Sequence, residues 1–165
     1  MRIFLSILIL SPLLSYNQEK LDLRDLKSIS SKSTFQKVVL ENKFSLAYYP
    51  EFPDQYNDKG PVYGYNLDND YQNPIDYTAS TWAFFYNYTE TFRFNFYKLN
   101  TESEMSYNRI VRQIQSSCNF HSIDERSDYD IIYYGCPGAK FKGVIGYFDT
   151  GEDYLSITTN LPIRN

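Results

Sequence analysis

The chain has 165 residues, 16 basic and 20 acidic side chains, a net charge of −4, and 17 tyrosines within an aromatic content of 18%. Its length suits one ordinary domain with a substantial core. The acidic balance argues against a general nucleic-acid binder, which needs cationic groups facing phosphates, and Lys37, Lys43, Lys98 and Lys140 are dispersed rather than clustered.

The first residues, Met1-Arg2-Ile3-Phe4-Leu5-Ser6-Ile7-Leu8-Ile9-Leu10, then Pro12, Leu13 and Leu14, lead from one positive charge into a short apolar run. That is the layout of a secretory signal peptide, and the run is short of the roughly 20 residues of a membrane span. The expectation is a signal over residues 1–17 and a single domain over residues 18–165. The product is periplasmic or secreted, with no stable membrane insertion once the signal is removed. Removal costs only Arg2 among charged groups, leaving 15 basic against 20 acidic.

Leu21, Leu23, Leu26 and Ile29 can line one side of a short helix or an arm on the domain. Ser33-Thr34-Phe35-Gln36 offers a capping box with Ser33 at the N-cap, and Phe35, Val38 and Val39 fit one helical face. Phe44, Leu46 and Tyr48 alternate as a strand does. Residues 50–61, with Pro50, Pro53, Asn57 and Gly60, form a loop. Tyr63, Tyr65 and Leu67 alternate again, followed by a polar loop from Asp68 to Asp76. Trp82, Phe84, Tyr86 and Tyr88 define one side of a strand and Phe92, Phe94 and Phe96 one side of the next. The two make an antiparallel hairpin turned at residues 89–91, whose apolar side needs a cover.

Thr101-Glu102-Ser103-Glu104 is a second capping box. Beyond it Tyr107, Ile110, Val111, Ile114 and Cys118 fall on one helical face. Phe120 and Ile123 begin a strand, and residues 124–128 read as a polar turn. Tyr129 to Tyr134 is apolar on both sides, which predicts a central strand. Gly135-Cys136-Pro137-Gly138 ends it. Val144 to Phe148, a turn at residues 149–153, and Tyr154, Leu155 and Ile157 complete the chain. The pattern is α+β, an antiparallel sheet packed by two or three helices. Helix then strand occurs twice, over residues 35–48 and 107–123, which suggests two weakly similar helix-plus-sheet halves.

Cys118 and Cys136 are the only cysteines. In an exported chain they read as one disulfide, running from the core face of the helix to the turn after strand 129–134. Two cysteines and one histidine do not make a compact metal-ligand pattern, so no metal is expected. His121 could act as a base beside Asp124 or Glu125, but no serine sits in a nucleophile turn, and a surface histidine is the simpler reading. The glycines form no nucleotide-binding fingerprint, so no cofactor is expected. Paired carboxylates can cleave glycosides, yet turns favour aspartate for structural reasons alone.

Tyrosine has a rigid apolar face and a polar tip, which suits protein interfaces. Tyr56, Tyr63, Tyr65, Asp68, Asp70 and Tyr71 together form the expected partner-binding set, an aromatic and acidic surface on the loops 50–61 and 68–76. The partner expected there is a protein carrying basic groups. Sugar stacking is the main alternative, which would make the chain a carbohydrate-binding module, and a small carboxylate-based hydrolase comes after it.

The signal-like start, the asparagine- and tyrosine-rich body and the stretch Tyr133-Tyr134-Gly135-Cys136-Pro137-Gly138 resemble small exported proteins of Bacteroidota-type bacteria. The resemblance is one of style across the chain and carries no activity. Some proteins of that kind resemble periplasmic immunity proteins or inhibitors, which implies an exported, non-enzymatic binding protein.

Overall fold

The computed structural model describes residues 20–48, 60–67, 79–141, 143–151 and 153–160; the signal-like start lies outside them. Three helices are present among the described residues: α1 (Leu23–Ser28), α2 (Lys32–Glu41) and α3 (Thr101–Ser117). Eight strands accompany them: β1 (Ser45–Tyr48), β2 (Val62–Tyr65), β3 (Thr81–Tyr86), β4 (Thr91–Tyr97), β5 (Asn119–Glu125), β6 (Asp130–Gly135), β7 (Val144–Asp149) and β8 (Tyr154–Asn160).

The helix starts differ slightly from the expected ones. Ser31, not Ser33, caps α2, and Thr34 returns the bond as its N3 residue. The earlier serine offers the same hydroxyl, and a threonine replaces Gln36 as the reciprocal partner. Asn100, not Thr101, caps α3, its Oδ1 accepting from the Ser103 amide at 3.0 Å. Asparagine is among the strongest N-cap residues. In α1, Asp22 and Asp25 form a full capping box.

All eight strands form one antiparallel sheet in the order β1-β2-β3-β4-β8-β7-β6-β5. Strands β1–β4 are a meander following α2. Strands β5–β8 are a second meander following α3. The two are joined through their last strands, β4 against β8. The recurrence of helix and sheet along the sequence therefore has a counterpart in topology.

One face of the sheet meets the helices. Phe35, Val38 and Val39 of α2, and Tyr107, Ile110 and Ile114 of α3, share a core with Phe85, Phe92, Phe94, Phe96, Ile145 and Ile157. Phe35 is fully buried, with ring centroids of Tyr63, Phe85, Phe92 and Phe94 between 5.5 and 6.4 Å away. A fully buried side chain of this size contributes about 1.5–3 kcal/mol, and edge-on aromatic contacts add to that.

Two strand expectations change. The Phe92–Phe94–Phe96 row faces the helices, and the register pairs Phe85 with Phe92 and Ala83 with Phe94. That fixes Ala83 and Phe85 on the helix side, so Trp82, Phe84 and Tyr86 point to the opposite face. Tyr88 lies in the turn and is exposed. Strand β6 is second from the sheet edge rather than central. Ile131 and Tyr133 are buried on its helix-free side, while Ile132 and Tyr134 are half-buried against the helical core.

Candidate functional site: the helix-free face of the sheet

Tyr63 and Tyr65, expected on a partner-binding surface, are core residues at 4% and 3% exposure. Tyr63 packs edge-on against Phe35 and Tyr65 lies 5.5 Å from Phe44, centroid to centroid. Odd positions of β2 face the helices, so strand parity carries both rings inward. Tyr56, Asp68, Asp70 and Tyr71 lie outside the described residues, as does loop 68–76 and most of loop 50–61. His121 is exposed on β5. Cys118 and Cys136 are bonded as expected.

The other face of the sheet is chemically distinct. No described helix packs on it. One cross-strand row runs Phe84, Arg93, Thr158, Gly146, Tyr133 through β3, β4, β8, β7 and β6. A neighbouring row runs Trp82, Asn95, Ser156, Phe148. Two hydroxyls on this face are satisfied within the sheet: Ser156 Oγ donates to Asn95 Oδ1 at 2.9 Å and Thr158 Oγ1 donates to the Phe92 carbonyl at 3.2 Å.

Gly146 shapes this surface. A Cβ there would stand 2.6 Å from Tyr133 Cδ1 and 2.9 Å from Ile131 Cγ2. The missing side chain lets Tyr133 lean across β7. Ile131, Tyr133, Val144 and Phe148 then form a small apolar cluster of their own, joined by half-buried Tyr129. Tyr129 stacks on Phe148 with centroids 5.0 Å apart and planes 19° apart.

Beside that cluster is a cleft of about 310 Å³. Arg93, Tyr86 and Thr91 line it from the β3–β4 side, and Arg126, Tyr129 and Tyr133 from the β5–β6 side. The Arg93 guanidinium carbon lies 5.3 Å from the centroid of the Phe148 ring. Its Nε is buried without a hydrogen-bond partner. Arg126 is held by Asp124, whose hydrogen bond and charge raise its pKa further. At the other end of the face Tyr97 and Tyr154 meet at 5.7 Å. Burial pushes the Tyr154 phenol up, opposed by a hydrogen bond with Trp82.

A second cleft, of about 440 Å³, lies between α1, α3 and the turn after β6, with Arg24, Lys27 and Lys140 around it. Arg24 is paired there with Asp22 at 3.6 Å. Among the described residues no group of three His, Cys, Asp or Glu could hold a metal ion, and no described helix is long and apolar enough to cross a membrane.

The sequence reading missed Arg93. A signal existed, since Arg93 alternates with three phenylalanines and must face away from them. What it meets there, Phe148 and the β5–β6 turn, comes from strands that sequence alone does not place beside it. Comparison with protein families, curated proteins and solved structures finds no match to this chain.

Proposed function

We propose that the chain is an exported, non-enzymatic binding protein that engages a protein partner through the helix-free face of its sheet, in an inhibitor-like or immunity-like role. The observation that carries this reading is the side-chain set on that face: half-buried Tyr86 and Tyr129 line the cleft with half-buried Arg93, and half-buried Trp82, Tyr97 and Tyr154 continue the same face. Tryptophan, tyrosine and arginine are the residues in which interface binding energy concentrates. Half-buried rings are already held by their neighbours, so less side-chain entropy is lost when a partner arrives. Export is supported by the signal-like start and by the disulfide, which belongs to oxidising compartments.

The test places a photo-crosslinking amino acid at position 86 in the secreted protein, with position 40 as control. Leu40 is exposed on α2, at the helical side. The expected result is one discrete protein adduct from position 86 and none from position 40, with the adduct lost when Trp82 and Tyr129 are both replaced by alanine. Equal labelling from both positions refutes the assignment of the face. Saturable retention on a glycan array that depends on the same two rings would instead establish the carbohydrate reading.

A further inference from the structure

We propose that the cleft over the β4–β8 junction is a carboxylate site seated on Arg93, and that its occupant is an acidic segment of the protein partner. The inference rests on the reading of the helix-free face as the binding surface and adds the chemistry of what binds.

Arginine stays charged at any physiological pH and presents a planar fork of donors that matches a carboxylate. Here the guanidinium is half-buried and lies near the Phe148 ring. Its Nε has lost water without gaining an acceptor. A shielded donor without a partner carries a desolvation penalty that folded proteins ordinarily avoid. Among the described residues no carboxylate lines the cleft, and no ion pair involves Arg93. Among the described residues the other charge in the lining is Arg126, which Asp124 pairs, so Arg93 is the uncompensated cation of the cleft. The ring contact covers one face of the guanidinium and its Nε is shut off from solvent, so an incoming carboxylate would meet the terminal amines.

The lining selects the occupant. A free carboxylate or phosphate would meet the guanidinium and leave the rings of Tyr86 and Tyr129 uncovered. An aspartate or glutamate side chain with its backbone also covers Tyr86 and Tyr129, burying apolar ring surface in addition to forming the ion pair. Asp124 tempers the second cation. It is an internal competitor for Arg126, and its removal would leave both guanidiniums for an incoming acid.

The experiment follows the Arg93 Nε–Hε and Gly146 amide resonances of the oxidised protein by ¹H–¹⁵N NMR. The probes are acetyl-Ala-Asp-Glu-Ala-amide, its neutral isostere acetyl-Ala-Asn-Gln-Ala-amide, sodium acetate and sodium phosphate. The acidic peptide should shift both resonances and bind at least about tenfold more tightly than the isostere, the effect of one charge-assisted hydrogen-bond pair. Arg93→Gln should abolish that preference. Asp124→Asn should strengthen acidic-peptide binding about two- to fivefold, the size of an exposed ion pair no longer competing. This second variant alters a half-buried position near the end of edge strand β5, outside both helical cores, so it keeps the test valid even where Arg93→Gln lowers stability. Equal binding of the two peptides, or an unmoved Arg93 resonance, overturns the carboxylate site while leaving the crosslinking result at position 86 to judge the face itself. Acetate or phosphate binding as tightly as the peptide overturns the peptide occupant.

Discussion

Replacing both Cys118 and Cys136 by alanine tests how the second meander is held. The two residues sit one step beyond the Asn119↔Gly135 pair, so the bond closes the open end of the β5–β6 hairpin. Strand β5 is an edge strand with β6 as its one neighbour in the sheet, and all its residues are exposed or half-buried. Little hydrophobic burial holds it, and an edge of this kind opens locally at low cost. The bond spans 18 positions of sequence. In the chain-entropy account, releasing a loop of that length frees the unfolded chain by about 3 kcal/mol. For a domain of this size that is a fall in Tm of about 6–12 °C. Circular dichroism melts of the wild type and of Cys118→Ala/Cys136→Ala measure it. Native-state hydrogen exchange adds the local part: amides of β5 should become exchangeable through local opening, while those of β4 and β8 should still exchange only with global unfolding. A Tm shift under about 2 °C would refute the loop-closure argument. It would mean that the β5–β6 hairpin already persists in the unfolded chain, leaving the bond little entropy to remove.

Phe35→Ala removes a ring that contacts four other aromatic residues at the centre of the core and should destabilise by about 3–5 kcal/mol in a urea titration; a loss under about 1.5 kcal/mol would show that α2 can collapse into the space. Gly146→Ala places a methyl into Tyr133 and Ile131, and overpacking of this kind costs about 1–3 kcal/mol. The same variant should move the Tyr133 ring resonances, and unchanged stability with unchanged Tyr133 shifts would show that the ring does not depend on the glycine. Asp149 is paired with Lys98 and accepts from the Gly151 amide. Slight burial pulls its pKa up, but these partners outweigh it and hold it below the usual carboxylate range. A carboxylate lowered in the folded state adds stability above its unfolded pKa, and that stability is lost as pH falls through the folded value. Asp149→Asn should therefore cost no more than about 1 kcal/mol at pH 7, given its exposure. The difference from wild type should shrink as pH falls through and below the ordinary carboxylate range; a difference that does not shrink would place the effect in packing rather than charge.

Periodicity made much of this fold readable. Helix α3 was legible because Tyr107, Ile110, Val111 and Ile114 recur at helical spacing, and the same residues are buried. Strand β4 was legible because Phe92, Phe94 and Phe96 alternate with polar neighbours. Strand β3 was harder, since Trp82-Ala83-Phe84-Phe85-Tyr86 is apolar on both sides. Parity there is decided by the partner strand, through Phe85↔Phe92, and not by local pattern. Tyr63 and Tyr65 misled for a related reason. Tyrosine is amphipathic, so its presence near a loop does not tell a surface ring from a core ring, and β2 turns both toward the helices. The disulfide was legible from compartment logic, but its place as the clasp of a hairpin needed the Asn119↔Gly135 register.

The position of the cleft follows from how the two meanders meet. Arg93 belongs to β4, the last strand of the first meander. Its direct cross-strand partner is Thr158 of β8, the last strand of the second. Phe148, which the guanidinium faces, and Tyr133 and Tyr129, which wall the cleft, all belong to the second meander, whereas Tyr86 and Thr91 belong to the first. Neither half alone assembles these residues. The cation comes from one and most of its aromatic surroundings from the other, so the site exists only where β4 pairs with β8. A change that weakens this pairing should disturb the cleft before it disturbs either helical core. Ser156→Pro removes a backbone donor at the centre of β8, opposite Asn95. Its expected signature is loss of the Arg93–Phe148 contact together with a large fall in stability, of about 3 kcal/mol or more. Retention of the Arg93 side-chain shifts in that variant would show that the cleft is built within one meander, contrary to the register.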